Sequence, residues 1–261
     1  IAVMISLEKI RDVAVDVARA GGEVSLRHFG RHIDVEFKDD HSPVTMADRN
    51  AETAMREVIA SAFPSHGILG EEHGATNPDS NVQWILDPID GTQSFIHGIP
   101  LYTTLVGVIV DGSPVAGVIY APVSNEMCVG VKGMGAALNG DACRVRTCQS
   151  LDEATFLTSD VQHFGLYGYD SELAQLLKKV RVHRTWGDAY GHMMVACGRA
   201  DLMVDPVLNL WDAAALINVV QESGGIFTDL KGNATPGGGN GFSCVKEIHE
   251  QVLTLFNPST D

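Results

Sequence analysis

Two carboxylates, a glycine and a hydroxyl leave one strand end together in Asp87-Pro88-Ile89-Asp90-Gly91-Thr92. The apolar run 82–86 before them reads as a buried strand. Proline cannot continue its ladder, and glycine lets backbone approach a ligand closely. Two further acidic turns share this pattern. Gly70-Glu71-Glu72-His73 follows the apolar Ile68-Leu69, and Trp211-Asp212-Ala213-Ala214 opens a helix-like run. Hard cations such as Mg²⁺ take carboxylate, carbonyl and water oxygens. Three acidic turns at the ends of apolar elements therefore suggest a metal cage assembled from distant segments. Asp-Pro and Asp-Gly are also ordinary turn formers; the recurrence at Glu71 and Asp212 favours the cage.

The elements that must position these turns follow from periodicity. Leu7, Ile10, Val13, Ala14, Val17 and Ala18 recur at helical spacing, so residues 6 to about 29 read as a long amphipathic helix. Gly21-Gly22 inside it reads as close packing, with a break as the alternative. Residues 31–37 form a short strand-like alternation and 38–45 a polar loop. A second helix begins at Ala47-Asp48 and runs to about residue 63, with Asp48 where a capping carboxylate belongs. A strand over 66–70 leads to Glu71, and 73–80 reads as a surface loop. The runs 103–110 and 114–120 flank Asp111-Gly112-Ser113, a hairpin signal, and 126–132 and 136–138 extend an antiparallel sheet.

A polar connector over 144–152 separates an N-terminal half of about 1–145 from a C-terminal half of about 150–261. The second half alternates. Strands are expected at 154–159, 180–184, 200–204 and 226–228, and helices at 171–179, 190–197, 212–221 and 248–255. Gly224-Gly225 ends the third of these helices, and 237–239 reads as a flexible turn.

The 261 residues carry 33 acidic and 18 basic side chains, a formal net charge of −15. That balance argues against nucleic acid or an anionic membrane as a partner. It suits a phosphate substrate only if bound cations invert the local sign. The five cysteines are scattered, without a Cys-x-x-Cys pair, which fits a reduced, cytoplasmic protein; Cys197 lies in an apolar run and reads as core. No stretch is long and charge-free enough to span a bilayer.

With Trp84 before it and Phe95 and His97 after it, the 87–92 segment resembles the first signature of the inositol monophosphatase superfamily. Gly70-Glu71-Glu72, and Trp211-Asp212-Ala213-Ala214 with Gly224-Gly225, resemble its other two metal-binding motifs, in the family's order and approximate spacing. The resemblance covers nearly the whole chain. It implies an α+β fold, a layered αβαβα sandwich of the inositol monophosphatase and fructose-1,6-bisphosphatase type, forming a single phosphatase unit, commonly a homodimer and sensitive to Li⁺. It implies two or three Mg²⁺ ions. Glu71, Asp87 and the Ile89 carbonyl would hold the first, and Asp87, Asp90 and Asp212 the second. Glu71, also counted as catalytic, would share a weaker third. Gly91 and Thr92 amides, beside Asp90, would grip phosphate, and the Thr92 hydroxyl and Asp48 would relay a proton from the attacking water. Lys38 sits at the family's mobile-loop lysine. Glu72 reads as surface and His97 as a packing residue, since the family's cage is all oxygen.

Substrate choice rests on Arg184-Thr185-Trp186-Gly187-Asp188-Ala189-Tyr190 and on Asp205, before Asp212. Two carboxylates, Asp188 and Asp205, suit a cationic substrate. Trp186 is a candidate for stacking on an imidazole, with Gly187 and Ala189 beside it. Trp-Gly-Asp, and Lys38-Asp39-Asp40-x-Ser42-Pro43-Val44-Thr45, resemble the histidinol-phosphate phosphatases of this superfamily. The expectation is hydrolysis of L-histidinol phosphate, a small phosphate monoester of histidine biosynthesis. A broad inositol-1-phosphate phosphatase is the alternative. Asp188 as a helix cap ahead of Tyr190 is the competing structural reading.

Overall fold

Helix α1, Leu7–His28, puts Ile10, Ala14, Val17 and Ala18 on one fully buried face, and Ser6 caps it by accepting from the Lys9 N–H. The computed structural model describes residues 6–31, 34–37 and 43–257, so Lys38 and its neighbours 39–42 lie outside the described residues. α1 runs unbroken through Gly21-Gly22 because a helix and a strand press on it there. A Cβ on Gly21 would stand 2.7 Å from the Met55 sulfur, and one on Gly22 would strike the Tyr120 ring. β1, Val35–Phe37, pairs antiparallel with β2, Pro43–Thr45, so the end of the expected 38–45 loop is strand. α2, Met46–Ala62, opens on a capping box: the Thr45 hydroxyl accepts from the Ala47 N–H, and the Asp48 carboxylate accepts from the Thr45 N–H at 2.8 Å.

The larger sheet holds β3 (Gly67–Gly70), β4 (Gly74–Thr76), β5 (Val82–Asp90), β6 (Thr103–Val110), β7 (Ser113–Ala121), β8 (Glu126–Val131), β9 (Gly135–Leu138) and β10 (Asp141–Ala142). Their order is β10-β9-β8-β7-β6-β5-β3-β4, antiparallel except for the parallel β3–β5 pair. Two expectations change here. The 73–80 loop contains β4, which the Gly70↔Gly74 pairing folds back on β3. β5 continues past Leu86 to Asp90, with irregular register between Asp87 and Asp90, where Pro88 has no N–H to give. The β6–β7 hairpin turns through Asp111 (φ 49°) and Gly112 (φ 76°), both left-handed, as a tight hairpin of this hand requires.

α3 (Thr92–Ile96) follows β5; then come α4 (Val161–Leu166), α5 (Asp170–Lys179), α6 (Asp188–Ala196), α7 (Leu210–Glu222) and α8 (His249–Phe256). The smaller sheet, β11 (Thr155–Leu157), β12 (Val182–Arg184), β13 (Leu202–Asp205), β14 (Ile226–Thr228) and β15 (Gly241–Cys244), is mixed, in the order β12-β11-β13-β15-β14. Its β15 and the short α4 were not expected. The layers alternate. Ile10, Val17, Met55 and Ile59 of α1 and α2 cover Trp84, Val106 and Val118 of the larger sheet. Met193 and Leu216 of α6 and α7 fill the space between Leu105 and Ile119 of the larger sheet and Phe227 of the smaller. Leu176, Val252 and Phe256 of α5 and α8 close the far face over Phe156, Val204 and Phe242. The result is the expected αβαβα sandwich. Among the described residues no helix is long and apolar enough to cross a membrane.

One detail of this packing positions the acidic turns. Gly107, Gly117 and Gly130 lie side by side on β6, β7 and β8. α7 lies in the channel they leave. A Cβ on Gly107 would stand 2.6 Å from the Ala214 Cβ, one on Gly130 2.5 Å from the Asn218 carbonyl oxygen, and one on Gly117 would strike the Ala215 carbonyl. Absence of three side chains thus fixes where α7 runs, and with it the place of Asp212 in its first turn.

Candidate active site

The acidic turns meet at a cleft of about 210 Å³. Asp87 and Asp90 end β5, and Glu71 follows β3, its N–H bonded to the Leu86 carbonyl at 3.2 Å. Asp212 arrives on α7, accepting the Asn209 N–H at 2.6 Å. Carboxylate oxygens of Asp87, Asp90 and Asp212 lie within 4.8 Å of one another. The hydrogen bonds to these three hold one oxygen of each. Asp87 Oδ1 accepts from the Ile89 N–H (3.0 Å), and Asp90 Oδ2 from the Thr103 hydroxyl (2.9 Å) and the Ala189 N–H (2.7 Å). Asp212 Oδ2 accepts from Asn209, so among the described residues the second oxygen of all three is left for an ion.

Electrostatics points the same way. Burial, then the Glu71 charge, pushes the Asp87 carboxyl well above the carboxylate range; burial, then the Asp188 charge, does so for Asp90. Burial followed by the Asp90 charge lifts Asp212 to about 8. No Lys or Arg lines this cleft among the described residues, and His163 is its basic side chain. Asp87, Asp90 and Asp212, stripped of water and with no Lys or Arg partner among the described residues, call for a bound cation. An all-oxygen donor set suits a hard one. The Ile89 carbonyl accepts from the Thr92 hydroxyl at 3.1 Å and retains a second lone pair.

These carboxyls hold protons more tightly in the folded chain than in the unfolded one. The stability they contribute is full below the unfolded carboxylate range and is lost as pH climbs through their raised values. Metal-free protein is therefore expected to melt at least about 5 °C lower near pH 8 than near pH 5, with Mg²⁺ restoring the difference. Equal melting at both pH values, or indifference to Mg²⁺ near pH 8, refutes this account of the cluster.

The other expected site residues fall on both sides of the cleft wall. Gly91 is left-handed (φ 79°), and a Cβ there would stand 2.6 Å from Asp188 Oδ2. Asp188 is itself left-handed (φ 54°), a conformation Asp tolerates, and donates its N–H to the Ser159 hydroxyl at 2.7 Å. The cap position of α6 belongs to Gly187, so Asp188 is not the helix cap that local sequence allowed. Burial followed by the Asp205 charge raises its carboxyl to about 7. Asp205 accepts the Ser159 N–H at 3.1 Å, and its other oxygen lies 3.1 Å from His192 Nε2; His192 Nδ1 is 2.6 Å from the Ser243 hydroxyl. Gly91, Thr92, Asp188, Ala189 and Asp205 all line the cleft.

Trp186 does not. It is 42% exposed, with the Arg184 guanidinium 6.0 Å above its ring, because Gly187 turns the chain inward only after it, packing on Ser159. Asp48 is buried behind the cleft. It accepts from the Thr45 N–H and, at 2.6 Å, from the Thr45 hydroxyl, while the Thr92 hydroxyl donates to Ile89. The expected Asp48–Thr92 relay is thus replaced here by nearer partners on each side; burial lifts Asp48 to about 6. His97 sits outside the cleft, its Nδ1 2.8 Å from the Gln93 carbonyl. Glu72 is half-buried, not a surface residue, since its N–H is drawn in to Glu52 at 2.7 Å.

Glu52 is the residue that sequence reading missed. Fully buried, it takes the Glu72 and His73 N–H groups and pairs with Arg56 at 2.7 Å, so it holds the turn that carries Glu71. The signal was present as Asp48, Glu52 and Arg56 at helical spacing on α2. His192 carries a similar signal, one turn after Asp188.

Residues 6–260 match the profile of the inositol monophosphatase family. The chain belongs to the inositol monophosphatase family. Among its relatives is a histidinol-phosphatase of Chlorobaculum parvum, 38% identical over 221 residues, covering 84% of this chain and 85% of that one. A histidinol-phosphatase of Mycobacterium tuberculosis is 34% identical over 94% of this chain and 96% of its own. The solved structure of an inositol monophosphatase from Zymomonas mobilis superposes with a TM-score of 0.86 at 32% identity, covering 97% of this chain and 99% of that one. As a member of the inositol monophosphatase family the protein is a phosphatase of a metal-dependent kind, and its Asp87–Asp90–Asp212 cluster provides the oxygen ligands such chemistry uses.

Proposed function

We propose that this phosphatase hydrolyses L-histidinol phosphate to L-histidinol and phosphate with Mg²⁺. One observation carries the reading: after Glu71, Asp87, Asp90 and Asp212 are assigned to ions, two carboxylates, Asp188 and Asp205, remain in a cleft that no Lys or Arg lines among the described residues. The substrate brings an ammonium and a protonatable imidazole beside its phosphate, and these complement two carboxylates. The names of the two histidinol-phosphatase relatives support the choice.

In this reading Glu71, Asp87 and the Ile89 carbonyl hold one Mg²⁺, and Asp87, Asp90 and Asp212 a second, with Glu71 shared with a weaker third. Bound ions supply neutralisation of the phosphoryl oxygens and a water of lowered pKa. Asp90, Gly91 and Thr92 orient the phosphate at the end of β5. In the same reading Glu71 and the Thr92 hydroxyl order the attacking water, while Asp48 secures the start of α2.

Asp188→Asn tests the substrate assignment. Asn keeps the size and tolerates the left-handed backbone, so only charge is removed. With L-histidinol phosphate, kcat/KM is expected to fall about 10- to 100-fold, the worth of a charge-assisted contact. Inositol-1-phosphate hydrolysis should change less than about 3-fold. If wild type cleaves inositol-1-phosphate as well or better, the protein is instead a broad phosphomonoesterase.

A further inference from the structure

Cys128, Cys143 and Cys197 stand far apart in sequence, on β8, just after β10, and at the C-terminal cap of α6. Folding brings Cys128 Sγ to 3.7 Å from Cys143 Sγ and 3.9 Å from Cys197 Sγ, with all three sulfurs within 4.8 Å of one another. Thiolates sharing one ion at about 2.3 Å are spaced about 3.8 Å apart in a tetrahedral arrangement and about 4.0 Å in a trigonal one. Cys128 is fully buried, whereas Cys143 and Cys197 are half-buried, which gives an ion a route in. Arg199, paired with Glu126 at 2.5 Å, brings positive charge to the same place.

We propose that Cys128, Cys143 and Cys197 form a three-thiolate site for one thiophilic d¹⁰ cation, Zn²⁺ or Cu⁺. Zn²⁺ would take a water in a fourth position, while Cu⁺ suits an all-sulfur site. The oxygen cage of the catalytic cleft favours hard ions, so the two sites select by softness. An ion here pins the C-terminal end of α6 to β8. Asp188 opens the other end of the same helix, about 13 Å away at 1.5 Å per residue.

The test uses the reduced, metal-free full chain in excess Mg²⁺, titrated with Cd²⁺ as the thiol-seeking probe. One equivalent is expected to raise a thiolate-to-metal charge-transfer band and the melting temperature. Cys143→Ser and Cys197→Ser should each abolish the band and weaken Cd²⁺ binding at least about 100-fold. Cys148→Ser, whose thiol points to the Ser150 carbonyl instead, should keep both. Displacement of Cd²⁺ by Zn²⁺ or by Cu⁺ then assigns the ion. The proposal falls if wild type shows no band at one equivalent, or if the band persists in both serine variants. It falls equally if, after reductant removal, the chain is two hydrogens lighter and no longer takes Cd²⁺, which makes the cluster a disulfide pair.

Discussion

Asp87→Asn is expected to lower kcat/KM at least about 10³-fold, the loss that follows when several kcal/mol of metal-borne charge stabilisation are withdrawn. Asp87 is 2% exposed, sits between Glu71 and Asp90, and belongs to both proposed ion sites. Asn retains its shape and can still accept the Ile89 N–H through Oδ1. The fold should therefore survive. Indeed, metal-free Asp87→Asn should melt higher than metal-free wild type near pH 8, because a buried negative charge has been removed from a crowd of like charges. What it should lose is the rise in melting temperature on adding Mg²⁺. Activity within about tenfold of wild type, or an undiminished Mg²⁺ response, would show that the cluster does not carry the catalytic ions.

Gly117→Val attacks the same site from a distance. The added Cβ would strike the Ala215 carbonyl, a backbone atom inside α7, so no rotamer change relieves it. Either the strand or α7 must move. Overpacking of this kind costs about 3 kcal/mol, or roughly 10 °C in melting temperature for a chain of this size. Lifting α7 also withdraws Asp212 from Asp87 and Asp90, so the folded fraction should show weakened Mg²⁺ stabilisation and little phosphate release. A variant with wild-type melting and activity would mean that contacts other than the glycine channel locate α7.

Much of this was legible because it is local. The hairpin at Asp111-Gly112 declares its own backbone, and the apolar spacing of α1 needs no partner to be read. The turns at Glu71, Asp87 to Thr92 and Asp212 reveal themselves by residue type at element ends. Illegible features depend on what lies across space. β4 and β15 are short and acquire their conformation from β3 and from β13 and β14. Glu52 becomes informative only when the turn after Glu71 folds over α2, and His192 only when β13 and β15 bring Asp205 and Ser243 to it. Trp186 and Asp48 show the converse. Their types suited stacking and proton relay, but their directions are set by Gly187 and by Thr45. The three cysteines looked scattered because nothing in the sequence announces that the residue after β10 and the end of α6 both meet β8.

The glycine channel also separates two kinds of heredity within one protein. The ligand-bearing end of α7 is registered by contacts with Gly107, Gly117 and Gly130 of the larger sheet, whereas Asp188 and Asp205 enter from α6 and from β13 of the smaller sheet. Descendants of such a chain are free to exchange the residues that greet the substrate's organic part while the hydrolytic core stays where it is. Three hydrogen atoms, one on each of three neighbouring strands, let that core sit where it does.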